Sequence, residues 1–148
     1  MPTVRKSVIV ARPAEAMYDL VENVERYPEF LPWCAATHVY ERTGNVIRAR
    51  LDIAYRGLRM HLTTRNEKEP PQRMTLELVD GPFEHFHGEW RFTPLGDAGC
   101  RVELVLDYKL ASKALQALLG RVFDHVADTL VERFVERAES SGGAPGSE

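Results

Sequence analysis

Lysine is scarce in this chain, limited to Lys6, Lys68, Lys109 and Lys113, and cysteine is scarcer still, with only Cys34 and Cys100. Two cysteines so far apart, with no Cys-x-x-Cys spacing, point away from a disulfide framework or a cysteine zinc site and toward buried thiols in a reducing compartment. No apolar run approaches the roughly 18 residues that a membrane-spanning helix needs. The first ten residues carry Arg5 and Lys6 but no apolar block followed by a small-residue cleavage site, so they do not read as a secretory signal. Neither sign of charge dominates: a formal net charge of -3 over 148 residues argues against a surface that attracts nucleic acid everywhere. Gly-x-Ser-x-Gly, Gly-rich phosphate loops and internal repeats are all missing. What remains is 44% hydrophobic and 28% charged, the balance of an ordinary globular protein. At about 100–200 residues per domain this is one domain, and a chain of this size buries enough surface for a core without disulfides or metal. The expectation is a soluble, cytoplasmic protein.

Periodicity divides the chain. Val4 to Ala11 reads as a strand rich in β-branched residues. Pro13, suited to a first helical turn, opens a short helix with Ala14, Met17, Leu20, Val21 and Val24 at helical spacing. Tyr27-Pro28-Glu29-Phe30-Leu31-Pro32-Trp33-Cys34 follows, held by its two prolines to a single turn. From Ala35 to Lys109 the period becomes two. Ile47 to Tyr55, Leu58 to Leu62, Met74 to Leu78, Phe86 to Phe92 and Cys100 to Tyr108 each alternate apolar with polar residues, as half-buried antiparallel strands do. Thr43-Gly44-Asn45, Arg56-Gly57, Pro70-Pro71, Asp80-Gly81-Pro82 and Gly96-Asp97 mark the turns. From Leu115 to Val135 the apolar residues form a broad helical stripe, predicting a helix of about 28 residues, with Ser112 as its N-cap. Gly120 inside it either admits a close neighbouring backbone or marks a kink beside a cavity. Ser140 to Glu148 is low in complexity and expected to be disordered, leaving residues 1–139 as the domain and 140–148 as the tail. One apolar sheet face needs a cover, and the long helix supplies it. The fold class is therefore α+β, a curved antiparallel sheet wrapped around a long C-terminal helix.

With that order in place, the chain resembles the START-like (SRPBCC, helix-grip) superfamily, and within it the family of coenzyme Q-binding proteins and ribosome-association toxins (RatA). The resemblance spans about Val4 to Arg137. It rests on the Tyr27 to Cys34 segment, Val79-Asp80-Gly81-Pro82-Phe83, Trp90-Arg91-Phe92-Thr93-Pro94-Leu95, and Gly120-Arg121-Val122-Phe123. It implies either a non-enzymatic binder of ubiquinone or a similar isoprenoid lipid that supports respiration, or a factor that binds the large ribosomal subunit and blocks subunit joining. Polyketide cyclases and aromatases share the fold and give a third, enzymatic reading. The absence of a transit-like extension makes the chain resemble the bacterial members. No cofactor is expected beyond such a lipid ligand; partners would be an apolar small molecule, the large subunit or an anionic membrane surface, with a peripheral position at the inner face of the membrane as a corollary.

Two sets of residues follow for these readings. An apolar cavity between sheet and helix would be lined by Leu62, Leu76, Trp90, Phe92, Leu104, Leu106, Leu119, Phe123 and Val126. Tyr27, Phe30, Leu31 and Trp33, a large apolar payload for a connection, would form its mouth, and Phe83 the other lip or a plug at the end of the sheet. Tyr27, Tyr108 and His38 are the groups that would hydrogen-bond a quinone carbonyl if they face inward. The second set is basic: Arg42 to Arg65 contains six arginines against Asp52 alone. Alternation places Arg48, Arg50, Arg56, Arg59 and Arg65 opposite the apolar face, where guanidinium forks suit RNA phosphate or anionic headgroups. From Asp124 onward the balance reverses to acidic. His85, His87 and Glu89 share a strand face, but alternation alone produces such a row, and no metal is expected there.

Overall fold

The computed structural model describes residues 3–142. Its elements are β1 (Thr3–Val10), α1 (Ala14–Glu22), a 3-10 helix (Val24–Glu29), β2 (Cys34–Thr43), β3 (Val46–Tyr55), β4 (Leu58–Glu69), β5 (Arg73–Asp80), β6 (Phe83–Leu95), β7 (Gly99–Leu110) and α2 (Lys113–Gly142). The strands form one antiparallel sheet in the order β1-β7-β6-β5-β4-β3-β2. β2 to β7 thus meander in sequence, and β1 returns to the far edge beside β7. The α+β architecture expected from the periodicity, one antiparallel sheet covered by a long C-terminal helix, is present.

Alternation sets which face each strand buries. Ile47, Ala49 and Ile53 of β3, Met60 and Leu62 of β4, and Cys100, Val102, Leu104, Leu106 and Tyr108 of β7 point to the covered side. Burying such side chains contributes about 25 cal/mol for each Å² of apolar surface taken from water. The cover is α2, which turns Leu119, Val122, Phe123, Val126, Ala127, Val131, Phe134 and Ala138 inward. The Ser112 hydroxyl accepts a hydrogen bond from the Leu115 amide at 3.1 Å, so the N-cap is where the sequence put it. The β3–β4 hairpin turns on Arg56 (φ 51°) and Gly57 (φ 81°), the two positive φ values that a tight type I′ turn requires.

Three details depart from the sequence reading. β2 is a full ten-residue strand that no alternating run announced; it is an edge strand, mostly exposed, with two register shifts, so its pattern is blurred. The helix does not stop at residue 139 but runs to Gly142, and the Ser140 hydroxyl donates to the Arg137 carbonyl at 3.2 Å. The rest of the tail, 143–148, lies outside the described residues. Finally, no neighbouring backbone packs on Gly120 and α2 continues through it unbroken: an added Cβ would meet only the Gln116 side chain, its amide nitrogen at 2.3 Å. Because that flexible end can swing away, Gly120→Ala is expected to raise stability by about 0.5–1 kcal/mol through helix propensity, read as a higher urea midpoint at unchanged m-value.

Candidate functional site

Between the concave sheet face and α2 lies a hollow of about 70 Å³. Of the residues expected around a cavity, Tyr27, Trp33, Leu62, Leu76, Trp90, Leu106, Phe123 and Val126 do line it, joined by Val21, Val24, Ala49, Leu51, Ile53, Thr64, Asn66, Met74, Phe86, Leu130 and Phe134. Phe30, Leu31, Phe83, Phe92, Leu104, Tyr108 and Leu119 are not in its wall. Leu31, Phe92 and Leu104 are buried in solid core elsewhere. Phe83 packs its ring against Phe86, Tyr108 and Phe123 at 5.0–6.5 Å between centroids, which plugs that end of the sheet instead of forming a lip.

The proposed mouth is likewise shut. Phe134 meets Tyr27 at 5.3 Å, Phe30 at 5.1 Å and Trp90 at 5.3 Å, all edge to face. Arg137 lies over the Phe30 ring at 5.1 Å and pairs with Glu29 at 2.6 Å. The aromatic segment therefore closes that end of the hollow. The hollow is small by comparison: an engineered apolar cavity that binds benzene has about 150 Å³, and ligand pockets generally run to about 300 Å³ or more. In this form it accommodates no quinone ring.

The three groups expected to meet a quinone carbonyl are all committed elsewhere. The Tyr27 hydroxyl donates to the Val21 carbonyl, and the Tyr108 hydroxyl donates to Asp124 at 2.7 Å. Burial first, then the Asp124 carboxylate, pushes the Tyr108 phenol upward, so it stays protonated. His38 lies on the outer face, 3.4 Å from Asp52. Burial raises the Cys34 thiol to about 11, with Asp52 adding to the effect, so it is no nucleophile at neutral pH. His87 is engaged by Glu77, and Glu89 by Arg73 and Arg91.

What sequence reading missed is a polar pair in the wall. Along β4 the inward row is Leu58, Met60, Leu62, then Thr64 and Asn66. The Thr64 hydroxyl donates to Asn66 Oδ1 at 2.7 Å, and Asn66 Nδ2 finds only the Met74 sulfur at 3.9 Å. Asn66 is 6% exposed. The alternation that sets Arg65 outward puts both inward, but as polar residues they were not counted in the lining.

The outer face of β2–β4 is the second candidate. Register sets Arg48 opposite Arg65, Arg50 opposite Thr63, Asp52 opposite His61 and Ala54 opposite Arg59, so Arg48, Arg50, Arg59 and Arg65 share one surface. Arg56 does not join them. In the turn, its guanidinium lies over the Tyr55 ring at 5.3 Å, and Tyr55 stacks on His125 of α2 at 4.5 Å. Arg56 therefore leans to the covered side, because positive φ takes it out of the strand alternation. Arg50 donates to Asp52 at 2.6 Å and Arg65 to Glu67. Burial raises the Asp52 carboxyl, but Arg50 and His38 outweigh it and hold the group below its ordinary value. Arg48 sits 5.8 Å from the ring of Tyr40, which is 52% exposed. Neither Arg48 nor Arg59 has an ion-pair partner among the described residues. A shallow depression of about 230 Å³ is bordered by Arg50, Arg59, His61 and Asp52.

Against this geometry, the family described as polyketide cyclase / dehydrase and lipid transport matches residues 10–135. The ribosome association toxin RatA of Pseudomonas aeruginosa is 39% identical over 140 residues, covering 95% of this chain and 97% of that one. A mitochondrial coenzyme Q-binding protein COQ10 homolog B of Xenopus laevis is 27% identical over 138 residues, covering 90% of this chain and 56% of its own length. In three dimensions, a START superfamily protein of Mycobacterium smegmatis superposes with a TM-score of 0.74 at 22% identity, over 93% of this chain and 97% of that one.

Proposed function

The chain belongs to the polyketide cyclase / dehydrase and lipid transport family, among relatives of the ribosome association toxin, and from that premise we propose that it is a non-enzymatic protein that docks on the large ribosomal subunit. The observation that carries this reading is the near full-length likeness to a protein named for ribosome association. The outer face supports it physically. Arg48 and Arg59 are uncommitted forks suited to phosphate, and exposed Tyr40 beside Arg48 offers a ring on which a splayed RNA base can stack. The cytoplasm is the corresponding location. Among the described residues the wall of the hollow is apolar apart from Tyr27, Trp33, Thr64, Asn66 and Trp90, with no carboxylate, histidine or cysteine to serve a cyclase there. Purified protein is expected to pellet with isolated large subunits and to be released as salt rises; a protein that stays in the supernatant at low salt overturns the reading.

The Asn66–Thr64 pair in an apolar wall supports a second reading, an apolar ligand with an acceptor oxygen such as a quinone. The small volume requires the wall of the hollow to widen before such a ligand enters, and the Tyr27–Trp33 segment and α2 are the elements over it. Native mass spectrometry of the protein as purified from cells should then show a lipid adduct; the bare polypeptide mass alone counts against it.

A further inference from the structure

β1 is the open end of the sheet. It pairs with β7 through an unbroken register from Thr3 to Val10, and among the described residues its other edge meets no strand. The opposite edge, β2, has two register shifts and the 3-10 helix packed beside it, the ways proteins usually blunt an edge. Among the described residues β1 has neither a bulge nor an element paired along its free side, and only the charges of Arg5 and the inward-pointing Lys6 guard it.

A groove of about 400 Å³ runs between β1 and the C-terminal half of α2. Lys6 meets Asp128 at 3.7 Å, and Arg12 donates to the carbonyls of Ala138 and Glu139 at 3.2 and 3.3 Å, so strand and helix run alongside each other. The floor is apolar, from Val8, Val131 and Val135, while the lining carries four carboxylates against one lysine. Asp128, Glu132 and Glu136 succeed each other at four-residue spacing on one helix face, where like charges destabilise the helix. Lys6 and Arg133 reach Asp128 and Glu136; Glu132 and Glu139 have no ion-pair partner among the described residues.

We propose that this groove takes an extended Lys/Arg-rich segment of a partner protein, which adds to β1 as an eighth strand. Main-chain hydrogen bonds to the free edge would supply affinity, and the side chains pointing toward α2 specificity. Alternate residues of a strand recur about every 6.6 Å, close to the roughly 6 Å between carboxylates four residues apart on a helix. Cations at every second position therefore meet the acidic row in step, over the valine floor. RNA and a second copy of this chain are disfavoured here, because phosphates or another acidic row would face these carboxylates. The inference is independent of the arginine face, which lies on the other side of the sheet.

The test is titration of the full chain with a labelled peptide of alternating lysine and valine, followed by fluorescence anisotropy and amide chemical shifts. Saturable one-to-one binding with shifts centred on Thr3–Val10 is expected. The double variant Glu132→Lys/Glu136→Lys, both exposed positions, should weaken it by at least about tenfold with an unchanged circular dichroism spectrum. A peptide N-methylated at alternate residues, which cannot pair along an edge, should weaken it to a similar degree. No binding, binding indifferent to either change, or shifts away from β1 overturns the proposal, as does a dimer of this chain in sedimentation velocity that the peptide fails to dissociate.

Discussion

Reversal of Arg48, Arg50 and Arg59 to glutamate is expected to abolish co-sedimentation with large ribosomal subunits at salt concentrations where the unaltered protein pellets. The expectation follows from how arginine binds polyphosphate. Each phosphate neutralised releases condensed counterions, so the logarithm of affinity falls with the logarithm of salt by close to one unit per contact. Losing three contacts lowers the salt slope by about two to three, and the new carboxylates add repulsion. The three positions are not equivalent. Arg50 already donates to Asp52 at 2.6 Å, so part of its charge is spent within the protein, whereas Arg48 and Arg59 have no such partner among the described residues. The single reversals of Arg48 and Arg59 should therefore each cost more than that of Arg50. Arg48→Glu and Arg59→Glu alter exposed strand positions and leave the buried face untouched, which an unchanged thermal midpoint verifies. Subunit binding that survives the triple reversal with the same salt slope removes this face from the proposed interaction.

Replacing Phe134 by alanine is expected to destabilise the fold by about 3–5 kcal/mol, the range for deleting a large buried aromatic side chain. Phe134 is 1% exposed, and it meets Tyr27, Phe30 and Trp90 through edge-to-face contacts, each of which adds to simple burial. At roughly 2–4 °C for each kcal/mol in a chain of about this size, the thermal midpoint should fall by around 10 °C. Urea unfolding followed by the fluorescence of Trp33 and Trp90 measures the loss directly. The void left behind adjoins the existing hollow, so the variant should also take up small apolar probes that the unaltered protein excludes. A loss below about 1 kcal/mol would mean that the Tyr27–Trp33 segment is held by something other than this ring.

These two experiments address features of different legibility. The arginine row could be placed from alternation alone, since a residue's face on a strand follows from whether its number is odd or even. Arg56 escaped that rule because the hairpin turn interrupts the count, and its positive φ directs the side chain back over Tyr55. Which arginines are free was not legible, because Asp52 and Glu67 lie two residues along the same strands as Arg50 and Arg65, and only side-chain geometry decides between a pair and a neighbour. In the interior, eight of the proposed lining residues do border the hollow, yet its apolar composition is equally that of a filled core. Thr64 and Asn66 were passed over for the opposite reason: polar residues at inward positions look like breaks in the pattern.

From the sequence came the layers, the order of every element but the edge strand β2, the buried face of the alternating strands and the helix that covers them. These depend on periods of two and 3.6 residues, which are local and written in residue type. The tertiary structure alone decided that the space beneath α2 is nearly filled, that Tyr27 and Tyr108 are bonded within the protein, and that β1, among the described residues, is an unpaired edge beside an acidic groove. Such facts depend on how side chains distant in the chain interdigitate and on which polar groups find each other. Packing to crystal-like density makes both properties of the assembled whole.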